Sequence, residues 1–170
     1  RLFCIYYLWI LAKARNSEEF MKRIPEATEV LKGYVEKLMK RDVEVRDLVI
    51  AKQLSMHPDR YAHDVFQAIA ARQLMRKGIE VSGGQIVRYL ITDAGSRSAS
   101  KRVKAAELIT KTHFDVEKYV DMLILAGANI LSPFGCTEET LKDRAVYGEK
   151  QTALKPAVTT TLMHACYLQD

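Results

Sequence analysis

Positively charged side chains gather between residues 72 and 104, and binding of phosphate groups is the chemistry that they could perform. The stretch from Asp93 to Lys104 combines glycine and serine with four cations. Backbone freedom, small hydroxyls and positive charge suit contact with phosphate oxygens, although a mobile, solvated loop has the same composition. The cations of this stretch are Arg97, Lys101, Arg102 and Lys104.

The residues before this loop must position it. Residues 68–77 predict a helix with a basic flank, and Gly78 is a typical helix stop. Branched and aromatic residues then flank Ser82-Gly83-Gly84, which predicts two strands, over 79–81 and 86–91, joined by a tight turn. Because the loop directly follows this β-ribbon and helix, its position favours phosphate contact. The helix carries Arg72, Arg76 and Lys77, and the ribbon carries Gln85, Arg88 and Tyr89.

The composition fits one folded domain. With 170 residues, 48% of them hydrophobic, the chain can bury a sizeable core, and its net charge of +5 favours a polyanionic partner. The apolar run over residues 2–12 is shorter than the roughly 20 residues that a membrane-spanning helix needs, so we expect a buried first helix and no membrane partner. Cys4, Cys136 and Cys166 are widely separated, which fits a reducing, cytoplasmic setting rather than a disulfide framework.

Helical patterns occupy most of the remaining sequence. A second helix is predicted to begin at Ser17, which could cap it, and another runs from its cap at Asp115 to a stop at Pro133. Thr137 is expected to cap a further short helix, and Leu48 to Leu54 predicts a short extended segment. The predicted fold class is therefore mainly α with a small β-ribbon.

No catalytic or metal-binding pattern occurs in the sequence. The HExxH, P-loop and GxSxG motifs are missing, and His57, His63, His113 and His164 are scattered without ligand partners at metal spacing. We therefore expect this chain to be non-catalytic by itself and to hold no cofactor.

Three motifs occur in a characteristic order. They are LVIAKQL over 48–54, AARQLMRKGIEVSGGQIVRYLI over 70–91 and FDVEKYVDMLILAGANILSPFG over 114–135. Together they resemble the thumb domain of archaeal family B DNA polymerases, which is mainly helical and grips the primer–template duplex. The resemblance covers residues 11–141, leaving 1–10 as an unassigned apolar helix start and 142–170 as a C-terminal tail.

The resemblance implies a set of DNA contacts. Lys52 lies in the segment that approaches the duplex backbone, and the basic loop matches the variable thumb loop. The further candidate DNA contacts are the ribbon residues Gln85, Arg88 and Tyr89 and the helix cations Arg72, Arg76 and Lys77. Tyr89 in the core and Arg72 in an ion pair are the structural alternatives at two of these positions. The catalytic aspartates and Mg²⁺ of the family belong to the palm, and no SLYP or YGDTD motif occurs here, so catalysis would require a palm-bearing polypeptide.

The tail resembles a degenerate sliding-clamp box. Gln151 and Leu154 match its beginning, but Ala157 and Val158 replace the usual aromatic anchors, so the expected clamp contact is weak. Two other functions stay open. One is a protein-protein module that docks through the first helix and the 119–131 helix, and the other is a stand-alone DNA-binding regulator.

Overall fold

The computed structural model describes residues 2–110 and 113–147, and this part of the chain is mostly helical with one small antiparallel sheet. The predicted fold class is confirmed. Gln151 and Leu154 lie outside the described residues, as does the tail beyond residue 147. The helices are α1 (Leu2–Ala12), α2 (Ser17–Met39), α3 (Val45–Leu48), α4 (Phe66–Met75), α5 (Ala99–Arg102), α6 (Val116–Leu131) and α7 (Glu138–Tyr147). The strands are β1 (Ile50–Gln53), β2 (Ile86–Ile91) and β3 (Val103–Ala105), and single 3-10 turns cover Pro58–Arg60, Ala106–Leu108 and Ser132–Phe134.

The chain divides into two compact units. A helical unit contains the described residues up to 40 and from 120 onward, and a sheet unit contains residues 41–119. The first holds α1, α2, α7 and most of α6, while the second holds all three strands and α4.

The helical unit is built around one face of α2. Buried side chains recur along this helix at Ile24, Leu31 and Val35, as expected for a stripe with the helical period. The predicted start is correct, but the cap is Asn16 rather than Ser17, because the Asn16 side chain accepts the Glu19 N–H at 2.8 Å. None of the described helices is both long and apolar enough to cross a membrane.

The sheet unit has β2 at the centre of its sheet, between β1 and β3. The alternation of β2 turns Val87 and Tyr89 to one face and Arg88 to the other. The Tyr119 hydroxyl accepts the Ile91 N–H at 3.0 Å and donates to the Leu48 carbonyl at 2.8 Å, so it ties the start of α6 to β2 and to the end of α3. Burial raises the pKa of Tyr119 to about 12, because it disfavours the charged phenolate.

The predicted β-ribbon is wrong in its pairing. Residues 79–85 form no strand, and β2 pairs instead with β1, which lies more than thirty residues earlier, and with β3. The reason is visible in the turn itself. Gly84 donates its N–H to the Leu54 carbonyl at 2.8 Å, and Leu54 donates to Gln85 at 2.9 Å, so the turn extends the β1 ladder.

Gly83 allows this turn to approach the chain beyond β1. A Cβ atom at position 83 would lie 3.1 Å from the backbone carbon atoms of Met56, closer than normal van der Waals contact. Gly95 is a useful contrast because a Cβ there would meet nothing within 4 Å. The glycine-rich turn therefore serves as a buttress for residues 54–57.

We predict that Gly83→Ala lowers the free energy of unfolding by about 1–3 kcal/mol, because the added methyl group forces the Met56 backbone aside. Urea unfolding followed by circular dichroism measures this change. The control is Gly95→Ala, which should leave the urea midpoint close to that of the wild type. Equal midpoints for both variants would contradict the close packing of the turn.

Candidate nucleic-acid interface

The positive charge of the chain is concentrated in the sheet unit. Residues 41–119 contain 14 lysines and arginines against 10 aspartates and glutamates, which gives a net charge of +4 out of the chain's +5. No acidic residue occurs from 94 to 106, where four of these cations lie. A surface that attracts polyanions is therefore expected on this unit.

The cations of residues 97–104, called the basic segment below, lie on a folded piece of chain and not on a simple loop. The segment contains α5 and the first two residues of β3, so the prediction of a loop is wrong for residues 99–104. The backbone N–H groups of Thr92 and Asp93 both donate to the Arg102 carbonyl, at 3.0 and 3.3 Å. The Thr92 hydroxyl donates to the Lys101 carbonyl at 2.6 Å, so the loop is closed at its base.

Gln73 on α4 fixes the basic segment from the other side. Its amide nitrogen donates to the carbonyls of Ser100 at 3.0 Å and Val103 at 2.8 Å. Its amide oxygen accepts the N–H of Ala105 at 3.0 Å. One side chain therefore satisfies three backbone groups in α5 and β3, and so holds the segment against the helix.

Three cations of the basic segment project into solvent. Arg97, Lys101 and Lys104 are exposed, and none of them takes part in an ion pair within the described residues. Arg102 differs, because it is half-buried and its Nε donates to the Ser96 carbonyl at 2.8 Å. The first three are available to a polyanion, while Arg102 braces its own loop.

The sheet distributes the other predicted contacts over two faces. Lys52 is the register partner of Val87, whereas Lys104 is the partner of Leu90 and shares its face with Arg88. Arg88 is exposed but lies 3.0 Å from the Glu107 carboxylate, which offsets part of its charge. Lys52 is exposed and forms no ion pair within the described part of the chain.

Two predicted contacts are engaged within the protein itself. Tyr89 is only 4% exposed and packs edge-on against Phe66 at 6.3 Å, and burial raises the pKa of its hydroxyl. Arg72 lies 2.7 Å from the Asp64 carboxylate and also donates to the carbonyls of Pro58 and Tyr61. Both positions therefore match their structural alternatives, and we do not assign a DNA contact to either.

The remaining predicted contacts lie at the end of α4 and at the glycine turn. Arg76 and Lys77 are exposed just beyond the last residue of α4, where cations also favour the negative end of the helix dipole. Gln85 accepts the Ser82 N–H at 2.9 Å, so its side chain shapes the turn. Their roles as DNA contacts stay predictions.

Two residues that hold the cation-bearing segments of the sheet unit were not identified from the sequence. Gln73 binds backbone groups about thirty residues away, and the Tyr61 hydroxyl accepts the Ser55 N–H at 2.8 Å. No local spacing rule reports either contact, because the partners are backbone atoms of other segments. In the described residues, no group of three or more histidine, cysteine or acidic side chains could hold a metal ion.

Several known proteins have sequences similar to this chain. The family described as DNA polymerase family B matches residues 5–134. DNA polymerase 2 of Aeropyrum pernix is 36% identical over 120 residues, which are 70% of this chain and 15% of that protein. A DNA polymerase of Methanocaldococcus jannaschii is 29% identical over 120 residues, covering the same 70% of this chain and 7% of that protein. The chain thus spans a small part of these relatives.

A solved structure has a similar fold. The family B DNA polymerase from Pyrobaculum calidifontis superposes with a TM-score of 0.64 over 79% of this chain and 18% of that one, at 24% sequence identity. At this identity the superposition bears on the fold alone.

We predict that Gln73→Met lowers the free energy of unfolding by about 1–3 kcal/mol, because a side chain of similar size leaves the Ala105 N–H and two carbonyls without their partner. Amide hydrogen exchange should rise first in residues 99–105. The control is Gln67→Met on the same helix, for which no hydrogen bond of the amide occurs in the described structure. Unchanged exchange at Ala105 in Gln73→Met would contradict the assigned role.

Proposed function

Because the chain belongs to DNA polymerase family B, we propose that its sheet unit holds the primer–template duplex of a DNA-directed DNA polymerase, as the thumb of that enzyme. The observation that carries this proposal is the basic segment. Arg97, Lys101 and Lys104 are exposed without ion-pair partners, on a piece of chain that Gln73 holds in place. Because the backbone that carries these cations is already held in place, less conformational entropy is lost when they contact the phosphates of a duplex.

The grip is directed at the DNA backbone. Lysine and arginine contacts to phosphate oxygens carry no direct sequence information, and they supply most of non-specific DNA binding. A polymerase has to move along any sequence, so backbone contacts suit its task. Lys52 and the exposed pair Arg76 and Lys77 extend the proposed contact set beyond the basic segment.

Nucleotidyl transfer is assigned to another part of the polymerase. The described residues gather no cluster of metal ligands, and they therefore do not fit the metal site that phosphoryl transfer needs. We propose that the sheet unit acts together with a palm-bearing polypeptide that supplies the catalytic carboxylates. Sliding-clamp binding through Gln151 and Leu154 stays a weak secondary prediction, since Ala157 and Val158 stand at the aromatic positions.

A docking role for the helical unit is the second candidate. Leu8 and Trp9 of α1 are 49% and 53% exposed, and Leu125 of α6 is 47% exposed. Contiguous exposed apolar side chains are typical of contact with another protein surface, and Leu8 and Trp9 are adjacent on α1. This role concerns the helical unit and is compatible with DNA binding by the sheet unit.

The test replaces Arg97, Lys101 and Lys104 together with glutamine. We expect weaker binding to every duplex, irrespective of sequence, and a log–log salt slope that is shallower by up to about 2.7, because each lost phosphate contact removes about 0.9. Fluorescence anisotropy with duplexes of unrelated sequence, at several salt concentrations, measures both quantities.

The matched control removes the same charge from the helical unit. Arg15, Lys22 and Lys32 form no side-chain ion pair in the described structure, and their replacement by glutamine should leave the salt slope unchanged. A flat salt response of the wild type would overturn the DNA-binding proposal and favour the docking role. A sequence-selective loss in the first variant would contradict the backbone grip and favour a regulator.

A further inference from the structure

The hydroxyl groups of Ser55 and Tyr61 form a pair next to the end of β1. The Tyr61 oxygen lies 3.0 Å from the Ser55 Oγ and accepts the Ser55 N–H at 2.8 Å. The Met56 N–H is a further donor to the Tyr61 oxygen, and no other partner of the two hydroxyls is found within the described residues. Both side chains are at the protein surface, with Ser55 exposed and Tyr61 half-buried.

This pair must keep one proton for an outside acceptor. Two hydroxyls carry two protons, and the bond between them uses only one. If Ser55 donates to Tyr61, the phenol keeps its proton, and if Tyr61 donates to Ser55, the serine keeps its proton. In both cases one O–H group of the pair has no acceptor within the pair and can donate to a bound ligand.

Lys52 adds positive charge at the same place. The Ser55 hydroxyl above all, then the N–H groups of Ser55 and Met56 and the Lys52 ammonium, hold the pKa of Tyr61 below its ordinary value. A phenol made more acidic by its surroundings is a stronger hydrogen-bond donor. Lys52 itself has no carboxylate partner among the described residues.

The Asp64 carboxylate of the neighbouring loop is already engaged, because it lies 2.7 Å from the Arg72 guanidinium. Arg72 also donates to the carbonyls of Pro58, at 3.0 Å, and Tyr61, at 3.4 Å, so it holds the loop that carries the phenol. This ion pair offsets the repulsion that Asp64 would exert on an anion at the hydroxyl pair.

We propose that Lys52, Ser55 and Tyr61 form a binding site for one phosphate of a nucleic-acid backbone. The ammonium group neutralises the phosphate charge, and the uncommitted hydroxyl proton donates to a non-bridging oxygen. This inference rests on the proposed duplex-binding function and adds a site to it, outside the basic segment. Arg72 positions the site through the Pro58–Tyr61 backbone and does not contact the phosphate.

The test compares Tyr61→Phe, Ser55→Ala and Lys52→Gln with the unsubstituted 170-residue chain in duplex binding. We expect Tyr61→Phe to weaken binding about tenfold, as for loss of a hydrogen bond to a charged group, without a change of salt slope. Ser55→Ala should weaken binding less than Tyr61→Phe does. Lys52→Gln should also reduce the slope, by about 0.9. Tyr34→Phe in the helical unit is the matched control and should bind as the wild type does.

A scan of duplexes with one neutral methylphosphonate each identifies the contact directly. The wild type should lose affinity at one particular phosphate, and Tyr61→Phe should show no further loss at that position. If the wild type binds duplex but Tyr61→Phe has the same affinity and the same scan, this site is overturned while the proposed function stands. If the wild type does not bind duplex, the proposed function itself fails.

Discussion

The cation-bearing segments of the sheet unit are held in place by two neighbouring side chains of α4. Arg72 and Gln73 form hydrogen bonds to backbone groups that are distant in sequence. Arg72 holds the carbonyls of Pro58 and Tyr61, and the neighbouring Gln73 holds Ser100, Val103 and Ala105. Two segments that carry cations are thus attached to a single turn of one helix. Like charges repel each other, so a cation-rich segment needs such fixed attachments to stay folded.

The distribution of charge follows from these attachments. Arginines 72 and 102 bond to carbonyl groups of the chain, whereas Arg97, Lys101 and Lys104 have their side chains in solvent. The first pair fixes the course of the backbone, and the second group supplies the positive electrostatic potential at the surface. In the proposed function, these cations contact phosphates and not bases, which suits a thumb that moves along its template.

The sequence predicted those features that local chemistry determines. The caps at Asp115 and Thr137 follow from residue type, since each side chain accepts an N–H three residues later. The strand over 86–91 follows from its β-favouring residues, but its partners do not. A glycine turn beside Ile79 and Val81 favours a hairpin locally, whereas the folded chain pairs β2 with β1 and β3 and buries Ile91 and its partner Val103 on one face of the sheet.

Functional residues divide in the same way. Clusters of lysine and arginine could be recognised from composition. Alternation alone, however, does not say which face of β2 is buried, so the sequence predicted both Tyr89 and Arg88 as contacts. Gln73 and Tyr61 act through backbone atoms that only the folded chain brings near. Such contacts depend on tertiary structure and leave no short-range pattern.

Lysine footprinting tests the central claim, that the sheet unit presents its cations to duplex DNA. The full chain is acetylated at low salt with and without duplex, and the modified lysines are measured by mass spectrometry. The account predicts that duplex protects Lys52, Lys101 and Lys104, while Lys22 and Lys32 of the helical unit react equally in both samples. Equal modification of all five lysines, or protection confined to Lys22 and Lys32, would contradict it.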